Sequence, residues 1–235
     1  VAAVAGQFFS WLHFTHHVTA LAEQIKEMGV GRWLLHTENT YHFAVGLFGL
    51  WQSDSVAVLP PNTGKQTLKE LGEESQGLIS DHLASAGELS VLAPLTAPTA
   101  PEQSFSTLDR DAFKLELYTS GSTGQRRVLK KTLANLEDEL EGLEMLWGGM
   151  LGESEIFGTV SHQHIYGLLF RVLWPLSSNR VIRAETYLSP SRLLDELRLA
   201  QQACLVSVPA HLKRIPELID FAELGSHCKV IFSSG

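Results

Sequence analysis

The sequence has 235 residues, 44% of them hydrophobic and 19% charged, with a formal net charge of −8. That balance describes a folded globular chain with enough apolar material for one or two cores, not a disordered segment. It argues against general nucleic-acid binding, which needs a basic face to displace counterions. The longest apolar run near the start, Phe43 to Trp51, is about half the ~20 residues of a membrane-spanning helix, so no membrane span is expected. Cys204 and Cys228 are too few for a disulfide framework, and free thiols in a reducing compartment are the expectation. The first residues lack the basic region of a secretory signal, which leaves the cytoplasm as the expected location.

Phe8 to Met28 places Phe9, Leu12, Val18, Leu21, Ala22 and Ile25 close to helical spacing, with Gly29 as a stop. His13, His16 and His17 share one face of that helix. No Cys, Asp or Glu joins them at ligand spacing, so a partly exposed face is expected and no metal site. Arg32 to His36 reads as a short buried strand, and Asn39 as the cap of a helix running through Trp51. Ser55 to Leu59 is another strand, closed by Pro60-Pro61 and the turn Asn62-Thr63-Gly64. A short helix around Leu68 to Leu71 and a strand at Leu78-Ile79 follow. Strands and helices alternating over short connections predict an α/β fold, layered sheets with flanking helices. Residues 95–106 are rich in Pro, Ala, Thr and Ser, and Pro98 and Pro101 argue against a helix there. They read as a surface connection between a first α/β subdomain at 1–94 and a second at 107–235.

In the second half, Ala112 to Tyr118 and Arg127 to Lys131 read as strands on either side of a Ser/Gly run. Thr132 caps a helix with Leu133, Leu136, Leu140, Leu143 and Leu146 as its buried stripe and Gly148-Gly149 as its end. Glu137, Asp138, Glu139, Glu141 and Glu144 form its solvated face. Ile156 to Val160 is a strand feeding Ser161-His162-Gln163-His164, with Ser161 a candidate cap for a helix over Gly167 to Leu173. A His-x-His pair lacks the further ligands a metal requires. Ser189-Pro190 opens a helix burying Leu193, Leu194, Leu197 and Ala200. Cys204 to Val208 is a strand, His211 to Ile219 a short helix, and Lys229 to Phe232 the last strand. No internal repeat of fixed period occurs.

The most informative stretch runs from Leu115 to Lys131. Apolar alternation passes into Thr119-Ser120-Gly121-Ser122-Thr123-Gly124 and leaves through Arg126, Arg127, Lys130 and Lys131. Glycines let consecutive N–H groups turn inward onto an anion. Hydroxyls add neutral donors, and the cations add charge. The order favours a polyphosphate, although a hairpin turn that binds nothing has the same composition. It is not a Walker loop, because no Gly in the chain is followed at the required spacing by Gly-Lys-Ser/Thr. Nor is it a dinucleotide fingerprint, since no glycine lies two residues from Gly121.

Tyr118 to Gly124 resembles the phosphate-binding loop of the adenylate-forming superfamily, which includes acyl- and aryl-CoA synthetases, peptide-synthetase adenylation domains and luciferases. Where that loop continues Gly-x-Pro-Lys-Gly, this chain has Arg126, Arg127 and Val128 at the last three places. Arg127 keeps the charge and replaces a compact ammonium by a planar fork. Further segments follow in the family's order. Lys131 to Leu136 resembles the helix start after the loop. His164-Ile165-Tyr166-Gly167, with Trp174-Pro175-Leu176 beyond, resembles the His-x-x-Gly segment beside the acyl pocket. Val208-Pro209 resembles the Val-Pro strand end, and Val230 to Gly235 the opening of the substrate and adenine wall. Within the family, Ser161 to Gly167 is most similar to ligases of aryl-polyene or xanthomonadin-type pigment synthesis.

The resemblance implies a truncated N-terminal α/β domain of an AMP-forming enzyme. Such an enzyme uses ATP to activate a small-molecule carboxylic acid as an acyl-adenylate. It then transfers the acyl group to a thiol, of CoA or of a carrier protein's phosphopantetheine. Thr119, Ser120, Gly121, Ser122, Thr123, Gly124 and Arg127 are the implied nucleotide contacts. His164, Gly167, Ser233, Ser234 and Gly235 are the implied substrate contacts, with His164 steadying a carboxylate and no residue assigned as catalytic base. Magnesium is implied too. Its usual glutamate, the ribose-binding aspartate and the lysine that promotes adenylation follow Gly235 in the family. The expectation is therefore about the first half of such an enzyme, inactive alone and trimmed before Val1 as well. The alternative is a non-catalytic module that binds an anion or nucleotide.

Overall fold

The chain begins extended, as β1 (Ala2–Val4) and β2 (Gln7–Phe9), before Ser10 turns it into α1 (Trp11–Met28). Ser10 accepts from the His13 amide, and His13 Nδ1 accepts from the Ser10 amide at 3.2 Å. This is a capping box with an imidazole where a Glu or Gln usually stands. It starts the helix later than apolar spacing predicts: Phe8 and Phe9 are strand residues, and Phe9 stacks on Tyr41 at 4.7 Å. The computed structural model describes residues 1–4, 7–82, 86–95, 105–119 and 127–234. It divides the chain into two units, Phe9–Glu137, and Val1–Phe8 with Asp138–Gly235.

The Phe9–Glu137 unit continues with β3 (Arg32–Leu35), α2 (Thr40–Gln52), β4 (Val56–Leu59), α3 (Lys65–Gly72), β5 (Gly77–Ile79) and β6 (Val91–Leu92). Asn39 caps α2 as its residue type requires, Oδ1 accepting from the Tyr41 and His42 amides. After the connection come β7 (Phe113–Thr119) and β8 (Arg127–Thr132). The sheet order is β6-β5-β3-β4-β7-β8, parallel except for the antiparallel pair β7–β8. Leu34, Val58 and Leu78 bury one face of it under Leu68 and Leu71 of α3. The expected division at 95–106 falls inside this unit. Because β7 pairs with β4, backbone hydrogen bonding ties the chain before and after the connection into one sheet.

Thr132 and Asn135 cap α4 (Leu133–Leu143) reciprocally, each side chain accepting from the other's amide at 3.2 Å. The helix does not stop at Gly148-Gly149. It passes into a π-helical stretch, Glu144–Gly148, and α5 (Gly149–Leu151), and ends at Gly152 with φ 57°. Glu144 is the cause. Its side chain is 45% exposed, on the expected solvated face, and it also takes both Arg180 Nη atoms at 2.7 and 3.0 Å, Trp174 Nε1 at 2.7 Å and Ser178 Oγ at 2.9 Å. Gly148 makes room for it, since a Cβ there would lie 2.2 Å from Glu144 Oε1. The wider π turn rotates the apolar stripe. Leu146 is 67% exposed, and Trp147 packs inward against Phe232 at 5.3 Å instead.

The rest of this unit comprises β9 (Glu155–Gly158), α6 (Ile165–Gly167), a π-helical stretch at Leu168–Leu173, α7 (Trp174–Ser177), β10 (Ile182–Arg183), α8 (Pro190–Leu197), β11 (Ala203–Ser207), α9 (Pro209–Arg214), a 3-10 turn at Ile215–Glu217, α10 (Phe221–His227) and β12 (Cys228–Ser233). Its sheet order is β12-β11-β9-β10-β1-β2, with parallel pairing from β12 through β1. The chain leaves β9 toward β10, then crosses back to β11 on β9's other side. Such a reversal opens a crevice at the carboxyl ends of the strands, where ligands of open α/β sheets bind. Both faces of the sheet are buried: Phe157 and Leu205 against Leu193, Leu194 and Leu197 of α8, and Ile156, Cys204 and Val206 with Trp174. Among the described residues, no helix is long and apolar enough to cross a membrane.

Candidate functional site

The first candidate element is the β7–β8 hairpin. Thr119 ends β7 directly opposite Arg127, which begins β8. Ser120, Gly121, Ser122, Thr123, Gly124 and Arg126 lie outside the described residues, so the structure fixes only the two strand ends that carry them. The two strands expected on either side of that run are present. The cations beyond it are not equivalent. Lys130 Nζ lies 3.3 Å from the buried Glu116, which also takes Arg32 Nη2 at 2.7 Å. Burial works to raise the Glu116 carboxyl, and Arg32 with Lys130 outweighs it, holding it below the usual range. Lys130 is thus a counter-ion of Glu116 on β7, and Arg127, which begins β8, is exposed as Lys130 is.

The second element is the carboxyl edge of the β9–β11–β12 strands, where the implied substrate residues gather. Ser233 pairs in register with Ser207 at the end of β11, and Ser234 follows it. His164 stands in extended conformation, φ −110° and ψ 152°, at the start of α6. Its side chain makes no capping bond and is exposed. Ser161 does not cap that helix, because its Oγ accepts from the Gln163 amide at 3.1 Å within the preceding turn. Gly167 is buried, and a Cβ there would meet the Ser161 carbonyl oxygen at 2.1 Å. It serves to seat the 159–164 loop on its helix. Gly235 lies outside the described residues.

Behind Ser233 is an aromatic group that the sequence reading did not assemble. Phe232 lies 5.1 Å from Phe170, 5.3 Å from Trp147 and 5.7 Å from Trp174, and Tyr166 lies 4.8 Å from Phe170. The spacing of Tyr166, Phe170 and Trp174, four residues apart along a helix, was the available signal. The Tyr166 hydroxyl is buried and has no hydrogen-bond partner. Burial pushes this phenol up to about 12, and pushes the neighbouring Cys204 thiol up to about 12, so both stay neutral near pH 7.

The third element is a cavity of about 240 Å³ at the same edge, among Thr159, Tyr187, Leu193, His211, Arg214 and Leu218. Arg171 is fully buried in the π-helical stretch, and burial lowers its guanidinium to about 10. It donates to the Val160 and Glu185 carbonyls and to Thr186 Oγ1, joining the loops after β9 and β10. No group of three His, Cys, Asp or Glu among the described residues is placed to hold a metal. His13 is engaged in the α1 cap and His17 with the Tyr41 hydroxyl at 2.9 Å. The described residues bear on a nucleotide only through the pairing of Thr119 with Arg127, the strand ends on either side of the hydroxyl- and glycine-rich run in the sequence. They supply no ligand set for magnesium.

No family model and no curated protein matches the sequence. Solved structures do, and they show the fold: the chain is similar to the N-terminal half of adenylate-forming acyl- and aryl-CoA synthetases. ATP-bound MatB from Rhodopseudomonas palustris matches with a TM-score of 0.81 at 20% identity, over 99% of this chain and 50% of that one. O-succinylbenzoate CoA synthetase (MenE) from Bacillus subtilis, in complex with AMP, matches at 0.79 and 16% identity, over 100% of this chain and 63% of that one. The same synthetase with the acyl-adenylate intermediate OSB-AMP matches at 0.77 and 16% identity, over 98% and 63%. The chain therefore spans 50–63% of the length of these enzymes.

Proposed function

We propose that this chain is the nucleotide- and acid-binding part of an AMP-forming acid–thiol ligase. The observation that carries the reading is the hairpin register: Thr119 opposite Arg127, with the hydroxyl- and glycine-rich run between them. Support comes from a fold whose solved neighbours were captured with ATP, AMP and an acyl-adenylate. A carboxylate oxygen attacks the α-phosphorus of ATP, and the bond to the β-phosphate breaks with its electrons leaving on pyrophosphate. Thr119 to Gly124 donate to that departing charge and Arg127 neutralises part of it. Each well-aimed donor of this kind contributes about 2.7–4 kcal/mol in the transition state. His164, Ser233 and Ser234 flank the acid. The neighbouring rings of Tyr166, Phe170 and Phe232 favour an aryl or conjugated acyl group, consistent with the pigment-type resemblance of Ser161 to Gly167. Bound magnesium would add charge neutralisation at the phosphates. The thiol of CoA or of a carrier protein's phosphopantetheine then displaces AMP.

Carboxylate-dependent ATP–pyrophosphate exchange tests this, using a polypeptide that extends to the full length of the neighbours. Exchange with an aryl acid that Ser122→Ala with Thr123→Ala abolishes is the expected result. A non-catalytic anion-binding module is the second reading. Its signature is pyrophosphate binding with no exchange across a panel of aryl and fatty acids. The 235 residues by themselves are expected to show little exchange.

A further inference from the structure

The 240 Å³ cavity is not lined by His164 or by Ser233. Two of its lining residues are hydrogen-bonded, Thr159 Oγ1 lying 3.0 Å from His211 Nδ1, and Thr159 Oγ1 is backed by Ser207 Oγ at 2.8 Å. Tyr187, Leu188, Pro190, Leu193, Ile215 and Leu218 form apolar walls. Leu188 and Leu218 are 79% and 61% exposed. Arg214, the last residue of α9, also lines the space, and no Asp or Glu does. Its guanidinium forms no ion pair among the described residues. The walls are fixed without a ligand. Arg171 clamps the loops after β9 and β10, the Thr159 amide donates to the Val206 carbonyl at 3.0 Å, and the Tyr187 amide donates to the Gly158 carbonyl at 2.9 Å. A preformed space of this kind binds without first paying to order itself.

One cation, one hydroxyl–imidazole pair and otherwise apolar lining define a singly charged ligand. A polyphosphate would face walls that cannot compensate it. We propose that this cavity binds a small monocarboxylate with an apolar body, the carboxylate held by Arg214 and the His211–Thr159 pair, the body against Leu188, Leu193 and Leu218. It is a second acid site on the α8–α9 side of the sheet, apart from the residues assigned to the activated acid.

The test is a titration of the 235-residue chain with hexanoate, with hexanol as the uncharged control, following the NMR signals of Leu188, Leu193, Ile215 and Leu218. Hexanoate is expected to shift these signals saturably and to bind about tenfold more tightly than hexanol, the contribution of one charge-assisted hydrogen bond. Arg214→Gln, at an exposed position, should remove that tenfold and leave hexanol binding unchanged. Leu218→Glu should weaken hexanoate further by placing a like charge at the rim. Equal affinity for hexanol, an unaltered affinity in Arg214→Gln, or shifts confined to the surroundings of His164 and Ser233 would each overturn the proposal. Binding is the readout, so its failure is separable from a failure of ATP–pyrophosphate exchange.

Discussion

The two sheets end differently at their carboxyl edges. In the Phe9–Glu137 unit, the edge beyond β3 and β5 is occupied by its own charged groups, although the buried His36 Nδ1 there has no hydrogen-bond partner. Asp81 accepts from the Glu38 amide at 2.9 Å, the Asn39 amide at 3.0 Å, His42 Nδ1 at 2.9 Å and His82 Nδ1 at 3.3 Å. Burial alone would raise this carboxyl, and the four donors outweigh it, holding it well below the usual carboxylate range. In the other unit, the edge beyond β9, β11 and β12 keeps an exposed His164, an unpartnered Tyr166 hydroxyl and an open cavity. The same parallel architecture is closed in one case and left available in the other. Where the edge is closed, the candidate chemistry has moved to the antiparallel hairpin on the far side of β4.

The largest effect that would break this comparison lies at the hairpin. Removing two donors with Ser122→Ala and Thr123→Ala is expected to lower exchange at least ~100-fold, measured with aryl acid and labelled pyrophosphate. Asp81→Asn comes next. It leaves the donors of the closed edge without their anion, and a loss of about 2–3 kcal/mol in urea unfolding is expected. The pH dependence follows from the sign of the shift. A carboxyl depressed in the folded state stabilises above its unfolded value, near ~4, and that stabilisation drains away as the pH falls below it. The variant should therefore show a flatter acid limb than the parent; an identical limb would mean the edge is not held by Asp81. The smallest effect belongs to the open edge. Tyr166→Phe removes a hydroxyl that has no partner, so thermal stability should hold or rise by up to about 1 kcal/mol. A clear drop would reveal a partner and make the two edges more alike.

Much of the fold was legible because its signals are local. Asn39, Thr132 and Ser189 each announced a helix start through residue type, and the structure gives each of them the capping bond. The helix after Thr132 was misjudged at its far end because the π turn depends on Arg180, distant in sequence, gripping Glu144. The two-residue β10 carries too little pattern to be seen in sequence, and α10 was missed as well. The expected helix at His211 to Ile219 divides into α9 and a 3-10 turn. The expected phosphate loop from Tyr118 to Gly124 rests on a contiguous motif, and the structure describes only the strand ends that flank it. The cavity was not legible, since Thr159, Tyr187 and His211 follow three different strands and meet only through the order β11-β9-β10. Arg171 did leave a trace: a lone charge inside Leu168–Leu173.

Pairing of β1 with β10 has a consequence for how this molecule is handled. Ala2 and Ala3 sit against Ile182 and Arg183 inside the second sheet, although the entire other unit is synthesised between them. During translation β1 must wait, edge exposed, until β10 exists, and an unpaired edge invites association with other chains. Substitution or deletion within Ala2–Val4 therefore acts on a structural strand, and expression yield should be more sensitive there than the length of the segment suggests.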